Sequence, residues 1–314
     1  MEQPNKYTPG LVSIIMPTYK RCDMLLRAVN SVFSQTYKDI ELIVVNDNGT
    51  EDPFNKVLKQ KLSDIVDERF ILIDQGKHTN GAVARNIGIR KARGEYIAFL
   101  DDDDYWQPAK IERQVAELSK LDSSWGAVSC LKLYYLNGEL KKASLPYKDG
   151  YIFEDILNFL TNVTTGTILM RHAALDECGY FDETLLRQQD IQLFACFSYR
   201  YKIKLLREYL LNIDISDGQN RPNINTLWVV KKAYINSVDS ILRQLPQKQQ
   251  KQLQFHIKTE VGIQMLRRGR PWDGIKAVTS CLKSPRVFFL EVRKNVMLLA
   301  EILLKNCNYK KYSG

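Results

Sequence analysis

The chain has 314 residues, 45% of them hydrophobic, enough for one large or two modest packed domains and too apolar for a disordered chain or a stapled miniature fold. Its formal charge of +9 is unevenly placed: residues 219–314 carry 18 Lys and Arg against 5 Asp and Glu, leaving 27 against 31 in residues 1–218. Six scattered cysteines without a CxxC pair, no basic leader and apolar core in MEQPNKYTPG, and no run of about 18 uncharged apolar residues lead us to expect a cytoplasmic protein that does not span a membrane.

From Leu11 to about Trp125, β-branched runs alternate with helical stretches. LVSIIMP, IELIVVND, RFILID and EYIAFLDDDD read as strands, and CDMLLRAVNSVFSQT, FNKVLKQKL and GAVARNIGIRKAR as the helices between them. This β-α-β-α-β-α-β order predicts an α/β fold with a mostly parallel sheet flanked by helices, in which ligands bind where the carboxyl ends of the strands open. Pro17-Thr18-Tyr19, Asn46-Asp47-Asn48 and Asp101 to Asp104 each follow a strand directly, so three polar tips converge on one predicted edge.

Residues 126–217 read as α+β and continue the same domain. AVSCLKLYYL is a strand, NGEL a hairpin, 151–161 a helix, TGTILM a strand, QQDIQLFACFSYRY a helix, and IKLLREYLLNIDI a strand or pair of strands. Beyond Gly218 the pattern is helical, at 226–245, 247–268, 271–283 and 286–306, with breaks at Pro246, Pro271 and Pro285. The last stretch sets apolar residues at helical spacing among Arg and Lys, which suits an amphipathic interfacial helix as well as a core-packing helix or a dimer face.

Four carboxylates in a row at a strand end repel one another unless a cation is present. A hard divalent ion is the simplest neutraliser, and a solvated turn before Pro108 is the other reading. Asp47 presents one carboxylate to a ring N–H or a ribose hydroxyl, or closes an Asx turn. HTNGAVARNIGIRKARG contains neither GxGxxG nor GK[ST], which disfavours dinucleotide and P-loop chemistry, while Arg85 or Asn86 could face a diphosphate. Asp190, at a helix start, is a cap or a general base. The three histidines, His78, His172 and His256, form no Ser-His-Asp or Cys-His spacing, so acyl chemistry is disfavoured.

Taken together, VSIIMPTYKR, SVFSQTYKDIELIVVNDNGTED, ARNIGIRKARGEYIAFLDDDD and GYFDETLLRQQD resemble glycosyltransferase family 2 over roughly residues 11–217. The resemblance implies a GT-A fold, with a catalytic domain over 1–218 (donor half about 11–125, acceptor half about 126–218) and a helical, basic region over 219–314. It implies an inverting transfer from a nucleotide diphosphate sugar, a UDP-sugar in the first instance, to a glycan or lipid-linked glycan, with Mn2+ or Mg2+ as cofactor, in cell-surface polysaccharide synthesis. On this resemblance Pro17 and Tyr19 frame the nucleotide and Asp47 binds its base or ribose. Asp101 and Asp103 form the DxD-like element, with Asp102 between them; Asp101 and Asp102 are on the nucleotide-sugar side and Asp103 is the metal ligand. Arg85 assists the diphosphate, and Asp190 is the general base.

Two departures stand out: Gln189 replaces the family's Glu before the base, and no histidine follows the last strand, where Asp214, Asp217 and Asn220 stand unassigned. The basic C-terminal region suggests a peripheral contact with the inner face of the cell membrane. A nucleotidyltransferase would carry a glycine-rich N-terminal loop, which LVSIIMPTYKR lacks. The alternative is a non-catalytic nucleotide- or nucleic-acid-binding protein using that basic region. Such a protein would not need the DDDD cluster or Asp190, and nucleic acid is not expected as a partner.

Overall fold

A computed structural model describes residues 6–21, 24–161, 163–216, 226–267, 271–279 and 289. The first part alternates as the periodicity predicts: β1 (Thr8–Thr18), α1 (Leu25–Phe33), β2 (Ile40–Asn46), α2 (Pro53–Leu62), β3 (Phe70–Asp74), α3 (Gly81–Lys91) and β4 (Gly94–Phe99). β2 is buried along its whole length, as a strand covered by helices on both faces must be. α1 buries Leu25, Ala28, Val29 and Val32, an i, i+3, i+4, i+7 stripe. α3 packs so closely on β1 that a Cβ at Gly88 would stand 2.5 Å from Ile15. The parallel register pairs Thr18 with Asn46 and Asn46 with Asp74, which brings the carboxyl ends of β1, β2 and β3 level.

The chain continues through β5 (Tyr105–Trp106), α4 (Lys110–Leu118), β6 (Trp125–Leu136), β7 (Glu139–Ala143), α5 (Phe153–Leu157), β8 (Leu169–Arg171), α6 (His172–Cys178), α7 (Gln189–Arg200) and β9 (Lys202–Asp214). Among the described residues, nine strands form one sheet in the order β3-β2-β1-β4-β8-β6-β9-β5, with β7 on β6. β8 runs antiparallel to both β4 and β6, so β6 and its parallel partner β9 regain the direction of β1 to β4. The expected strand TGTILM is shorter than its apolar run. Thr165–Thr167 forms a 3-10 turn instead, because the Thr167 hydroxyl donates to the Thr164 carbonyl and accepts from the Thr164 N–H, replacing ladder bonds. The helix expected over 151–161 is confined to α5, and the chain then turns through Phe159 at φ 53°.

The C-terminal elements are α8 (Leu227–Ser237), α9 (Asp239–Leu242), α10 (Gln247–Arg267) and α11 (Pro271–Val278). Tyr234, Val238, Leu253, Ile257, Val261 and Met265 share one apolar core with Phe153, Phe194 and Phe197. These helices therefore complete the core beneath α5 and α7. The amphipathic stretch 286–306 lies, apart from Phe289, outside the described residues. No helix among the described residues is long and apolar enough to cross a membrane.

Candidate functional site

The three polar tips meet around a cavity of about 400 Å3 lined by Pro17, Thr18, Tyr19, Lys20, Arg21, Asp47, His78, Gly81, Arg85 and Asp101 to Asp103. The tip after β1 is held in shape by its neighbour: Lys20 adopts φ 52°, and its N–H donates to Asn48 Oδ1 at 3.0 Å. The Asp47 N–H donates to the Thr18 carbonyl at 2.9 Å, which locks the second tip to the first.

At one end of the cavity the Tyr19 and His78 rings stack, with centroids 3.8 Å apart and planes 14° apart. The buried Asp47 carboxylate accepts from the Thr79 N–H at 2.8 Å and its hydroxyl at 3.1 Å, and contacts His78 Nδ1 at 3.0 Å. An apolar ring surface beside an acceptor is suited to a planar heterocycle.

At the other end, carboxylates and guanidinium groups alternate. Arg21 pairs with Asp103 and reaches Asp102 Oδ1 at 3.3 Å, while Arg85 Nη2 lies 2.5 Å from Asp101 Oδ1. Gly81 at the start of α3 lets that guanidinium lie close, since a Cβ there would stand 2.9 Å from Arg85 Nη1. Burial pushes Asp102 up to about 7, against the hydrogen bond from the Thr18 hydroxyl at 2.7 Å. Burial also raises Asp104 well above the usual carboxylate range, against the Asp214 N–H, which donates to it at 3.3 Å. The acidic run is thus no solvated cap: Asp102 and Asp104 are buried, and the N-cap of α4 is Ala109, which has no side-chain cap to offer.

Asp190 lies apart from the other seven sequence-predicted residues. It lines a second cavity, of about 150 Å3, with Lys132, Ile156, Phe159, Thr161, Val163, Thr164, Ile191 and Phe194. It sits in the first turn of α7, whose N-cap Gln188 takes the left-handed φ of 62° and offers no side-chain cap. Burial raises the Asp190 carboxyl, against the Ile191 N–H and the charges of Arg85 and Lys132. Arg85 lines the first cavity, where it pairs with Asp101, and its charge also acts on Asp190. Four non-glycine residues among those described have positive φ; Lys20 and Phe159 line these two cavities and Gln188 caps the helix that carries Asp190, the pattern expected where backbone strain is held at functional sites.

The family description "Glycosyl transferase family 2" matches residues 13–179. The chain belongs to glycosyltransferase family 2. It is accordingly a transferase, and its curled sheet of mostly parallel strands flanked by helices is the GT-A fold. An uncharacterized glycosyltransferase of Methanocaldococcus jannaschii is 28% identical over 251 residues, 73% of this chain and 83% of that protein. The UDP-Glc:alpha-D-GlcNAc-diphosphoundecaprenol beta-1,3-glucosyltransferase WfaP of Escherichia coli is 43% identical over 105 residues, 33% of this chain and 40% of WfaP. Among solved structures, S. aureus TarS 1-349 in complex with UDP-GlcNAc superposes with a TM-score of 0.59 at 17% identity, covering 79% of this chain and 72% of that one. The mannosyltransferase PcManGT from Pyrobaculum calidifontis, in complex with GDP-Man and Mn2+, gives 0.55 at 16% identity over 96% of this chain and 82% of its own.

Several glycosyltransferase residues at the two cavities escape a linear reading. Lys20 and Arg21 extend a tip already singled out, and their charge was the available signal. His78 reaches Asp47 only because the loop between β3 and α3 folds back over it. Lys132 is a charged residue in the buried strand CLKLYYL, which is itself a signal, since such a residue is retained only with partners. Of the residues standing where the family carries its late histidine, Asp214 is paired to Arg27 at 2.9 Å, while Asp217 and Asn220 lie outside the described residues.

Proposed function

We propose that this glycosyltransferase moves a sugar, with inversion, from a nucleoside diphosphate sugar, a UDP-sugar in the first instance, to a hydroxyl of a lipid-linked glycan in surface polysaccharide synthesis. The observation carrying this reading is the first cavity itself, which has an aromatic pair and a carboxylate acceptor at one end and carboxylates with two arginines at the other. Its volume and polarity suit a nucleotide whose base lies on Tyr19 and His78 and whose diphosphate points to Asp101–Asp103. The named acceptor of WfaP, a diphosphoundecaprenol-linked sugar, supports the acceptor class.

Among the described residues no group of three or more His, Cys, Asp or Glu is arranged to hold a metal ion. The donor set still fits a divalent ion of the Mg2+ or Mn2+ kind, which is commonly held by one or two carboxylates with water and substrate phosphates completing the shell. Asp103, with Asp101, would hold it, since both line the first cavity, where Arg21 and Arg85 are their present partners. Bound there, such an ion supplies Lewis acidity toward the departing diphosphate. Arg85 and Arg21 add fixed positive charge to the same end. Asp190 takes the proton of the acceptor hydroxyl as its oxygen attacks the anomeric carbon. The bond from that carbon to the diphosphate oxygen breaks on the opposite face, and its electron pair leaves with the nucleotide.

Calorimetry with UDP, GDP and dTDP tests the donor end. UDP is expected to bind most tightly, and Tyr19→Ala to weaken it roughly tenfold, from the loss of about 1–3 kcal/mol of base stacking. Equal binding by wild type and Tyr19→Ala would remove the base from that ring pair.

The same reading places the protein at the inner face of the membrane. α8 exposes Trp228 and Val229, and α11 exposes Trp272 and Ile275, within a region rich in Lys and Arg. Co-sedimentation with vesicles containing an acidic phospholipid is expected at low salt and reduced by Trp272→Glu. Full recovery in the supernatant at low salt would contradict this contact.

A further inference from the structure

The second cavity contains a cation for which the reaction as described has no use. Lys132 points from β6 into the cavity that Asp190 lines, and the residue is only 2% exposed. Its Nζ donates to the Thr164 hydroxyl at 3.2 Å, and its ammonium lies 5.6 Å from the centre of the Tyr134 ring. Thr164 is itself rigid, because its N–H and carbonyl are both engaged by Thr167 in the turn before β8. A lysine stem carried by a central strand and anchored on a fixed hydroxyl presents a positive charge to the cavity at a defined position.

Resting on the reading of Asp190 as the base, we propose that Lys132 is its positioning residue. Across the second cavity, which both residues line, its charge favours the ionised form of the Asp190 carboxylate.

The groups acting on Asp190 come from four elements and from its own helix. Arg85 from α3, Asp101 at the tip of β4, Lys132 from β6 and Tyr234 from α8 surround it, and the Ile191 N–H points at it from α7. Burial raises the carboxyl, and that N–H, then Arg85, then Lys132 act in the other direction. Arg85, the stronger of the two cations acting on Asp190, is bound to Asp101 at 2.5 Å, lies over the Phe181 ring and lines the first cavity. Behind Phe159 a second buried lysine, Lys231, is paired to Glu260 at 2.8 Å. Lys132 is the cation that shares the cavity with the base. A buried carboxylate without such a neighbour takes up a proton and ceases to be a base.

The test is a titration that needs no substrate. The side-chain carboxyl 13C resonances of aspartate are followed against pH in the full chain, with the Asp190 signal assigned through Asp190→Asn. In Lys132→Met its midpoint is expected to rise by about one pH unit or more, and in Lys132→Arg to return toward wild type. An unchanged midpoint in a Lys132→Met protein whose amide spectrum matches wild type overturns the proposal; should Met not be tolerated, Lys132→Gln gives the same comparison. In turnover, the acid limb of kcat is expected to move up in pH with the donor KM unchanged. A loss of kcat equal at every pH also overturns it, since a purely structural lysine would produce that. Absence of turnover in wild type would count against the transferase reading of the two cavities, and the titration would still decide the role of Lys132.

Discussion

Asp190→Asn is expected to lower kcat by about 10²–10⁴-fold while leaving nucleotide binding in the first cavity within a factor of two or so of wild type. The amide keeps the shape of the carboxyl and cannot accept the acceptor proton, and Asp190 lines the second cavity, away from Tyr19 and Asp47. Burial raises the Asp190 carboxyl, so wild-type kcat falls on the acid side at a pH above the ordinary carboxylate range, as the base becomes protonated. The sign for stability runs the other way. The folded state holds this proton more tightly than the unfolded chain, so the stability it contributes is present at low pH and is lost as pH rises through the raised value. At neutral pH the ionised carboxylate therefore costs stability, and Asp190→Asn is expected to melt no lower than wild type. Reduced turnover with an equal or higher Tm, read by kinetics and calorimetry on one preparation, separates a base from a structural cap, whose removal would lower Tm. Turnover within tenfold of wild type would exclude Asp190 as the base.

Asp103→Asn is expected to abolish stimulation by Mn2+ or Mg2+ and to reduce turnover at least about a hundredfold, because a metal at a leaving diphosphate supplies several kcal/mol to the transition state. Asp103 pairs with Arg21 on the cavity wall, whereas Asp104, one residue on, is buried beneath the tip. The same substitution at Asp103 leaves the fold with a neutral acceptor beside Arg21, so the loss falls on the metal response. Titrating activity against Mn2+ in wild type and Asp103→Asn checks this. An unchanged metal response would move the ligand to Asp101 or remove the metal from the reaction.

Much of this geometry is local and so readable along the chain. A strand of continuous apolar residues followed at once by polar ones, three times over, requires buried parallel strands whose ends are wet, and the register of β1 with β2 and β4 makes those ends neighbours. The antiparallel insertion of β8 is not local. Only three residues pair, and their β propensity competes with threonine hydroxyls that close a 3-10 turn in TGT. His78 and Lys132 are non-local for the same reason: one comes to Asp47 across 31 positions and the other to Thr164 across 32, and no periodicity encodes either meeting. Asp190 stands between these cases. Its position at a helix start is legible, but the second cavity that surrounds it is assembled from α5, β6, α7 and the turn before β8.

The most direct measurement is release of UDP, GDP or dTDP from a panel of nucleotide sugars, with and without Mn2+, in the presence of a polyprenyl-diphosphate-linked glycan. The expected result is acceptor-dependent, metal-stimulated release of one nucleoside diphosphate, with a product of inverted anomeric configuration. Release of no nucleotide from any donor, with tight and salt-sensitive binding of nucleic acid by the same preparation, would contradict it.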